Sequence, residues 1–350
     1  MSGGDTDYGA SQNPSSPYGA SGSTDGSYAQ SVPTGGPYGD SSTASASGGY
    51  APYSNPQSAP VSSSNPSASR QIFGNGVNLQ PSYQANGNVD LGWDLLKPIS
   101  SVKTVRLEIE DFSVDAAVRW ISEASKRGYT VIATFHSYDA INNKSASDDP
   151  KHMQLAIQFW NSNYKKLSAA GPFTINIMNE WGHKSIDAKT YAAQYNAAVS
   201  AIRSYYDGPL IIDLPGSGQL AKVAADAVSG AGGISPIQDR NVILSMHVYP
   251  KTWNGKGPLT LADMDLLVAT GRPCMIGEFG ESNETPDTDW RAIVAYAKSL
   301  YWPVLAWCWD GDGGIMNIMQ PEFQPFVAGK TNPYYRINSE YANIVLPFLS

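Results

Sequence analysis

From residue 72 to the end of the chain, short continuous apolar runs alternate with amphipathic stretches. The runs are rich in Val, Ile and Leu, and their first residues lie 26 to 43 residues apart. Continuous apolar runs of this kind are typical of parallel strands that are buried on both faces. The pattern predicts strands at residues 72–79, 104–109, 130–135, 173–178, 210–214, 242–246, 274–277 and 304–307.

The stretches between the runs carry helix signals. Ser113 is a predicted N-cap for a helix that Gly128 closes, because Val114, Ala117, Val118, Ile121 and Ala124 fall at helical spacing. Asp148 and Asp149 precede Pro150, which is tolerated at the first helical position. The remaining predicted helices cover residues 187–206, 219–229, 261–270 and 287–300.

Eight predicted strands that alternate with helices indicate either a (β/α)8 TIM barrel or a doubly wound sheet. We favour the barrel, because polar residues follow nearly every predicted strand rather than one switch point. Gly216-Ser217-Gly218 comes late and lacks a third glycine, so no nucleotide cofactor is expected. The barrel is predicted to occupy residues 71–350, close to the roughly 250 residues typical of this fold.

Residues 1–70 have a different composition. They contain no Leu, Ile, Phe, Trp or Cys and are dominated by Ser, Gly, Pro, Ala, Asn and Tyr. Such a segment cannot bury enough apolar surface to offset its backbone entropy, so we predict a disordered low-complexity tail. Segments of this composition either self-associate or act as linkers; we favour a linker to a carbohydrate-binding module outside this chain.

The formal net charge of −8 argues against nucleic-acid and anionic-membrane partners. There is no apolar run of about 20 residues, so no membrane span is predicted. The first five residues lack the basic and apolar regions of a signal peptide. No His-x-x-x-His or Cys-x-x-Cys spacing predicts a metal site, and Cys274 and Cys308 are expected to be buried free thiols.

Two glutamates stand at the carboxyl ends of predicted strands. Asn179-Glu180 follows the fourth strand, and Glu278 follows the seventh. In a parallel barrel these ends meet at one face, which is where barrel enzymes carry their sites. A pair of carboxyl groups, one donating a proton and one acting as nucleophile or base, is what hydrolysis of a glycosidic bond requires.

Further polar and aromatic residues occupy the other predicted strand ends. These six residues are Arg106, His136, Asn179, His247, Tyr249 and Trp307, and together with the two glutamates they make a set of eight. In this order and at these strands, the chain from residue 72 to 350 resembles glycoside hydrolase family 5. The resemblance implies a retaining (β/α)8 glycosidase without metal or organic cofactor. It also implies a secreted protein, which we expect to be a monomer.

The resemblance implies a role for each matching residue. Glu180 would be the general acid/base and Glu278 the nucleophile, with carboxyl groups about 5 to 5.5 Å apart. Arg106 and Tyr249 would hold the Glu278 carboxylate and keep its pKa low. His247 would orient Glu180.

The remaining matches would contact the sugar. Asn179 would bind the 2-hydroxyl, and His136 would line the cleft. Trp307, which on its own would more often be a core residue, matches the platform under the sugar ring. Trp309 faces the same side if the strand alternates regularly, and would extend that platform. Asn78, at the end of the first strand, completes the predicted substrate-binding residues.

Loop residues give additional candidates. Trp93, Tyr138, Trp181 and Trp253 are predicted to stack on successive sugars, although packing under a loop explains Trp93 equally well. His152, at a helix start, is interpreted as structural. His183 is either a cleft residue or an ordinary loop residue.

Three details are similar to bacterial-type endo-β-1,4-mannanases of the family: Trp181 in place of proline after Glu180, Asp213 at the end of the fifth strand, and the last strand's Ala-Trp-Cys-Trp. We therefore expect endo-cleavage of β-1,4-mannan. The alternatives are an endo-β-1,4-glucanase of the same family and a catalytically silent carbohydrate-binding barrel.

Overall fold

The computed structural model describes residues 73–137 and 149–350. Its main sheet is a closed barrel of eight strands in sequence order, and all neighbouring strands pair in parallel. The TIM barrel prediction is therefore confirmed. The strands are β1 Gly76–Leu79, β2 Thr104–Ile109, β3 Thr130–Phe135, β4 Thr174–Asn176, β5 Leu210–Asp213, β6 Val242–Val248, β7 Cys274–Phe279 and β8 Val304–Asp310.

Helices lie between the strands in the expected order. They are α1 Val114–Lys126, α2 Pro150–Ser168, α3 Ala188–Ile202, α4 Ala221–Ser229, α5 Leu261–Val268, α6 Trp290–Ser299 and α7 Ser339–Val345, with short helices at Trp93–Leu96 and Pro215–Gly218. The Asp149 side chain caps α2 by accepting the Lys151 N–H. Ser113 does precede α1, but its hydroxyl bonds to Glu110 instead of capping the helix.

The strand bounds differ from the predicted ones where the chain reaches the site. β4 ends at Asn176, although the next residues still bond to the neighbouring strands: the Ile177 N–H donates to Ile211 O, and the Asn179 N–H donates to Phe135 O. β6 and β7 run on through His247 and Glu278, so these side chains sit on strands and not in loops. The pairing register between the two strands shifts between Met246 and His247. The predicted tail (residues 1–70), Ile72, Tyr138 and Asp148 lie outside the described residues.

The barrel interior changes character along its axis. One cluster of buried apolar side chains fills one end: Phe73, Ile132, Ile211, Ile243, Met275 and Leu305. Two residues further along the same strands, the inward positions are polar, as in Thr134, Asp213 and Ser245. The apolar end contributes stability, and the polar end supports the site.

Short additional elements pack beside the barrel and were not predicted. Val89–Asp90 pairs with Gln324–Pro325, and Met319–Gln320 pairs with Arg336–Ile337, both antiparallel. Both cysteines are buried and unpaired, as expected. Among the described residues, no helix has the length and apolar character needed to cross a lipid bilayer.

Candidate active site

Arg106 on β2 lies at the centre of the polar end of the barrel and is 1% exposed. Its guanidinium donates to Glu278 Oε1 at 2.9 Å, to Glu108 Oε1 at 2.6 Å and to Asn179 Oδ1 at 2.6 Å. It also contacts Asp213 Oδ2 at 3.2 Å. One buried cation thus bonds to residues on or just after β2, β4, β5 and β7. The planar guanidinium can do this because it carries five N–H donors that point in different directions.

Glu278 is held through both of its carboxyl oxygens. Oε1 accepts from Arg106, and Oε2 accepts from the Tyr249 hydroxyl at 2.7 Å, which are the contacts expected from the sequence. The expected low pKa is wrong: burial raises the pKa of Glu278 to about 7, although His247 and Arg106 oppose the shift. The carboxyl is almost cut off from water, and that loss of hydration outweighs the nearby positive charges.

Glu180 presents the more accessible carboxyl group, with a side chain 22% exposed. Its Oε1 lies 2.8 Å from Nδ1 of His247, the contact predicted for an orienting histidine. Its backbone has φ of +48°, a left-handed conformation that is uncommon for a residue with a side chain. Such conformations persist only where surrounding contacts impose them, and they concentrate at functional sites.

The two glutamates face each other across a short gap. One carboxyl oxygen of each, together with a ring nitrogen of His247, lie within 4.8 Å of one another. These three groups are also of the types that bind metal ions. However, Glu278 already accepts from Arg106 and Tyr249, and His247 is bonded to Glu180, so the donors fit acid–base chemistry better than a cation.

Asp213 at the end of β5 is a fully buried carboxylate in the same network. Burial alone would raise the pKa of Asp213, but His247 and Arg106 outweigh it and hold the pKa at about 2. His247 shows the reverse balance: burial lowers its pKa, while Glu278 and Asp213 raise it well above the usual range. These contacts therefore favour the ionised form of Asp213 and the protonated form of His247.

Asn78 was predicted to bind substrate, and the structure places it elsewhere. It is fully buried; Oδ1 accepts from Arg106 at 2.9 Å, and Nδ2 donates to Gly277 O and Ala306 O. Because the oxygen and the nitrogen of its amide both bond to protein atoms, Asn78 positions Arg106 and does not bind substrate. Asn179 reaches the site edge at 5% exposure, with its Oδ1 accepting from Arg106.

His136 directly follows β3 and contacts a second group of acidic residues. Its Nδ1 lies 2.5 Å from Glu110 Oε1, and its Nε2 lies 3.3 Å from the Tyr83 hydroxyl and 3.6 Å from Glu108 Oε2. Burial lowers the pKa of His136, but Glu108 and Glu110 outweigh it and raise the pKa. Sequence reasoning missed both glutamates, although Glu108 stands two residues after Arg106 and so shares its face of the strand.

The two tryptophans of the last strand differ in burial and in hydrogen-bond partner. Trp307 is 8% exposed, and its Nε1 donates to Asp312 Oδ1 at 2.8 Å. Trp309, predicted to extend a sugar platform, is fully buried and donates Nε1 to Leu91 O. The register between β1 and β8 shifts here, with Val77 paired to Ala306 and Leu79 to Asp310, so the regular alternation behind that prediction is lost.

Trp181 is also a core residue and not a sugar-stacking one. It is 1% exposed, packs against Tyr191 and Tyr195 of α3 with ring centroids 6.3 and 5.9 Å apart, and donates Nε1 to Asp149 O. Trp93 is likewise buried and stacks on Tyr129, whereas Trp253 is 42% exposed. Sequence alone did not distinguish these environments.

We expect Trp181→Ala to lower the free energy of unfolding by about 3 to 5 kcal/mol, because it leaves a large cavity against α3. The KM for an oligosaccharide should not change. Denaturant unfolding with parallel kinetics measures both. Trp253→Ala, at an exposed position, is the matched control and should change stability by less than about 0.5 kcal/mol. If Trp181→Ala binds the oligosaccharide more weakly but is as stable as the wild type, Trp181 contacts the substrate in the cleft and is not a core residue.

The two histidines left open are now placed. His152 is buried within α2, as a structural residue would be. The Nδ1 atom of His183 lies 2.8 Å from Ser185 Oγ, within its own loop, and no catalytic carboxylate is its partner there. This favours the interpretation of His183 as an ordinary loop residue.

A closed eight-stranded barrel with paired carboxyl groups at the carboxyl ends of β4 and β7 defines a glycosidase-like site. The family model described as Cellulase (glycosyl hydrolase family 5) matches residues 96–313. The chain belongs to glycosyl hydrolase family 5.

The chain is similar to two proteins described as mannan endo-1,4-beta-mannosidase. The protein from Salipaludibacillus agaradhaerens is 25% identical over 207 residues, covering 59% of this chain and 63% of that protein. The Streptomyces lividans protein is 32% identical over 146 residues, covering 40% and 36%. The chain thus matches less than two thirds of the length of either relative.

The solved structures include the catalytic domain of a mannanase from Streptomyces sp. SirexAA-E. It superposes with a TM-score of 0.53 at 24% identity and covers 68% of this chain and 75% of that chain. At this identity the similarity establishes the shared fold.

Proposed function

We propose that this protein is an endo-acting hydrolase that cleaves β-1,4-mannan, including glucomannan and galactomannan, with retention of anomeric configuration. The observation that carries the proposal is the Glu180–Glu278 pair. Carboxyl oxygens within 4.8 Å support a retaining enzyme, since an inverting one needs roughly 6.5 to 9.5 Å to admit a water molecule.

The contacts of each glutamate suit a different step. Glu278 attacks the anomeric carbon while the proton of Glu180 passes to the departing glycosidic oxygen, which gives a covalent glycosyl-enzyme. Water then attacks that carbon, Glu180 takes the water's proton, and Glu278 leaves. Arg106 and Tyr249, which bind both Glu278 oxygens, position the nucleophile and stabilise its charge when it leaves.

Similarity to the two mannan endo-1,4-beta-mannosidases supports mannan as the substrate. Asp213 and the Ala-Trp-Cys-Trp end of β8 agree with it. Trp181 is buried and can influence substrate choice only through the position of Glu180. A second candidate is an endo-β-1,4-glucanase, which the family's description as Cellulase favours. Mannose and glucose differ at the 2-hydroxyl, so a few hydrogen bonds decide between them.

Initial rates on galactomannan, glucomannan and carboxymethyl cellulose test the substrate assignment. We expect release of reducing ends from both mannans to exceed that from carboxymethyl cellulose by about 10-fold or more, the usual effect of a few polar contacts. A fall in viscosity ahead of reducing-end release would mark endo-cleavage. Faster hydrolysis of carboxymethyl cellulose would favour the glucanase. Binding without hydrolysis of any of the three would favour a silent carbohydrate-binding barrel.

We further propose that the protein works outside the cell as a monomer, and that residues 1–70 link the barrel to a carbohydrate-binding module. These points rest on the family resemblance and on the composition of that segment.

A further inference from the structure

Asp213 contacts the candidate acid/base by two routes. Its Oδ2 accepts the backbone N–H of Glu180 at 3.1 Å, and its Oδ1 lies 3.6 Å from Nε2 of His247. The other ring nitrogen of His247, Nδ1, contacts the Glu180 carboxyl at 2.8 Å. One buried carboxylate therefore bonds to the main chain of Glu180 and lies beside the ring that contacts its side chain. The same ring also has Ser245 Oγ at 3.5 Å from Nε2 and Glu278 Oε1 at 3.4 Å from Nδ1.

The main-chain contact addresses the strained conformation of Glu180. A non-glycine residue at φ +48° costs free energy that surrounding contacts must offset. A backbone N–H that bonds to a buried carboxylate makes one of the stronger hydrogen bonds in proteins. Asp213 is itself fixed by Arg106 at 3.2 Å and by Asn176 Nδ2 at 3.3 Å.

The imidazole of His247 is held in a tight space as well. A Cβ at Gly218 would lie 2.5 Å from Cβ and Cγ of His247, and one at Gly277 would lie 2.1 Å from Ser245 Oγ and 2.9 Å from His247 Nε2. Only glycine leaves room at these two positions. The ring therefore stays between Glu180 and Asp213.

The charges around His247 do not all stay constant. The charged or ionisable groups that face the His247–Asp213 pair are Arg106, Glu180, Glu278, Tyr191 and Tyr195. Burial raises the pKa of both tyrosines well above their usual range, so they remain neutral. Glu180 and Glu278 change charge during the proposed reaction. Asp213 is the carboxylate of this group that remains ionised throughout.

We propose that Asp213 is a positioning residue for the acid–base step: it keeps both nitrogens of His247 protonated and fixes the backbone from which Glu180 projects. The inference rests on the proposed function and adds a residue to that same site. The doubly protonated ring donates Nδ1–H to Glu180 and leaves the acid's own proton free for the glycosidic oxygen. The negative charge of Asp213 balances the positive charge of the imidazolium.

Asp213→Asn removes the charge and keeps the shape. We expect the alkaline limb of kcat/KM on galactomannan to move to lower pH by about one unit or more, since loss of a nearby negative charge makes the His247 imidazolium easier to deprotonate. The loss of rate should be smaller for a 2,4-dinitrophenyl β-mannobioside, whose leaving group needs no proton.

Asp239→Asn is the matched control, since Asp239 also accepts from an arginine, Arg203 Nε at 2.6 Å, and from a backbone N–H, that of Asn241 at 2.7 Å. Its pH profile should equal that of the wild type. A wild-type alkaline limb in Asp213→Asn, or equal losses on both substrates, would overturn the inference.

Nitrogen NMR of 15N-histidine-labelled wild-type protein gives a test that needs no Asp213 variant and no activity. The chain has four histidines, and the signals of His247 are those lost in His247→Gln. We expect the imidazolium pattern at pH 7. A neutral ring at that pH would overturn the inference even if Asp213→Asn did not fold. If the wild-type protein were inactive on every glycan, the proposed function would be refuted. The NMR measurement would still show whether the His247 ring is protonated, because it does not depend on activity.

Discussion

Glu278→Gln is expected to lower kcat on mannan by about 10⁴-fold or more, the scale seen when an essential member of a catalytic group is removed. The amide keeps the volume of the carboxyl but cannot form the glycosyl-enzyme. Affinity for a mannan oligosaccharide should remain, because the rest of the cleft is unchanged. Single-turnover kinetics and calorimetric titration measure the two quantities.

Glu281→Gln is the matched control. Glu281 is three residues further on; its Oε2 accepts from Trp290 Nε1 at 3.0 Å and lies 2.5 Å from Arg291 Nη2. Its activity should remain close to that of the wild type. An active Glu278→Gln protein would remove Glu278 from the nucleophile's role and with it the double-displacement mechanism.

Glu180→Ala is expected to separate the two halves of the reaction. Hydrolysis of mannan should fall by about 10² to 10⁴-fold, the usual contribution of a positioned acid or base. With 2,4-dinitrophenyl β-mannobioside, Glu278 should still be glycosylated, because dinitrophenolate leaves without a proton. The second step lacks its base, so a burst of dinitrophenolate should precede slow turnover.

Intact-mass measurement during that burst should show one glycosyl unit added to the protein. Azide, which attacks without a base, should restore turnover of the activated substrate. An inverting enzyme would give neither the added mass nor the burst. Equal losses on mannan and on the activated substrate would contradict the acid/base role of Glu180.

Much of the site was predictable because strand ends are readable in sequence. Glu180, Glu278, Arg106, His247 and Tyr249 stand at or near the ends of apolar runs, and a parallel barrel brings such ends to one face. Their contacts follow from that topology. The tryptophans were less predictable, since the same residue type stands in the core at Trp181 and is largely exposed at Trp253.

The electrostatics were the least predictable part. Arg106 and Tyr249 do bind Glu278, yet burial still raises its pKa. The cost of removing a charge from water depends on how completely the whole barrel encloses it, and residue identities alone do not give that depth.

The sequence by itself determined the barrel, its strand order and the pair of glutamates at the carboxyl ends of its strands. Apolar runs, amphipathic stretches and the polar residues that follow each run are local patterns that can be read along the chain. Only the tertiary structure decided which polar residues support the site from below. Asn78 and Asp213 lie on other strands than Arg106, and their contacts with it exist only once those strands have assembled in the barrel. Glu108 is on the same strand as Arg106, but its burial beside that cation also depends on the assembled barrel. The left-handed turn at Glu180 likewise depends on contacts from β5, a strand that follows it in the chain.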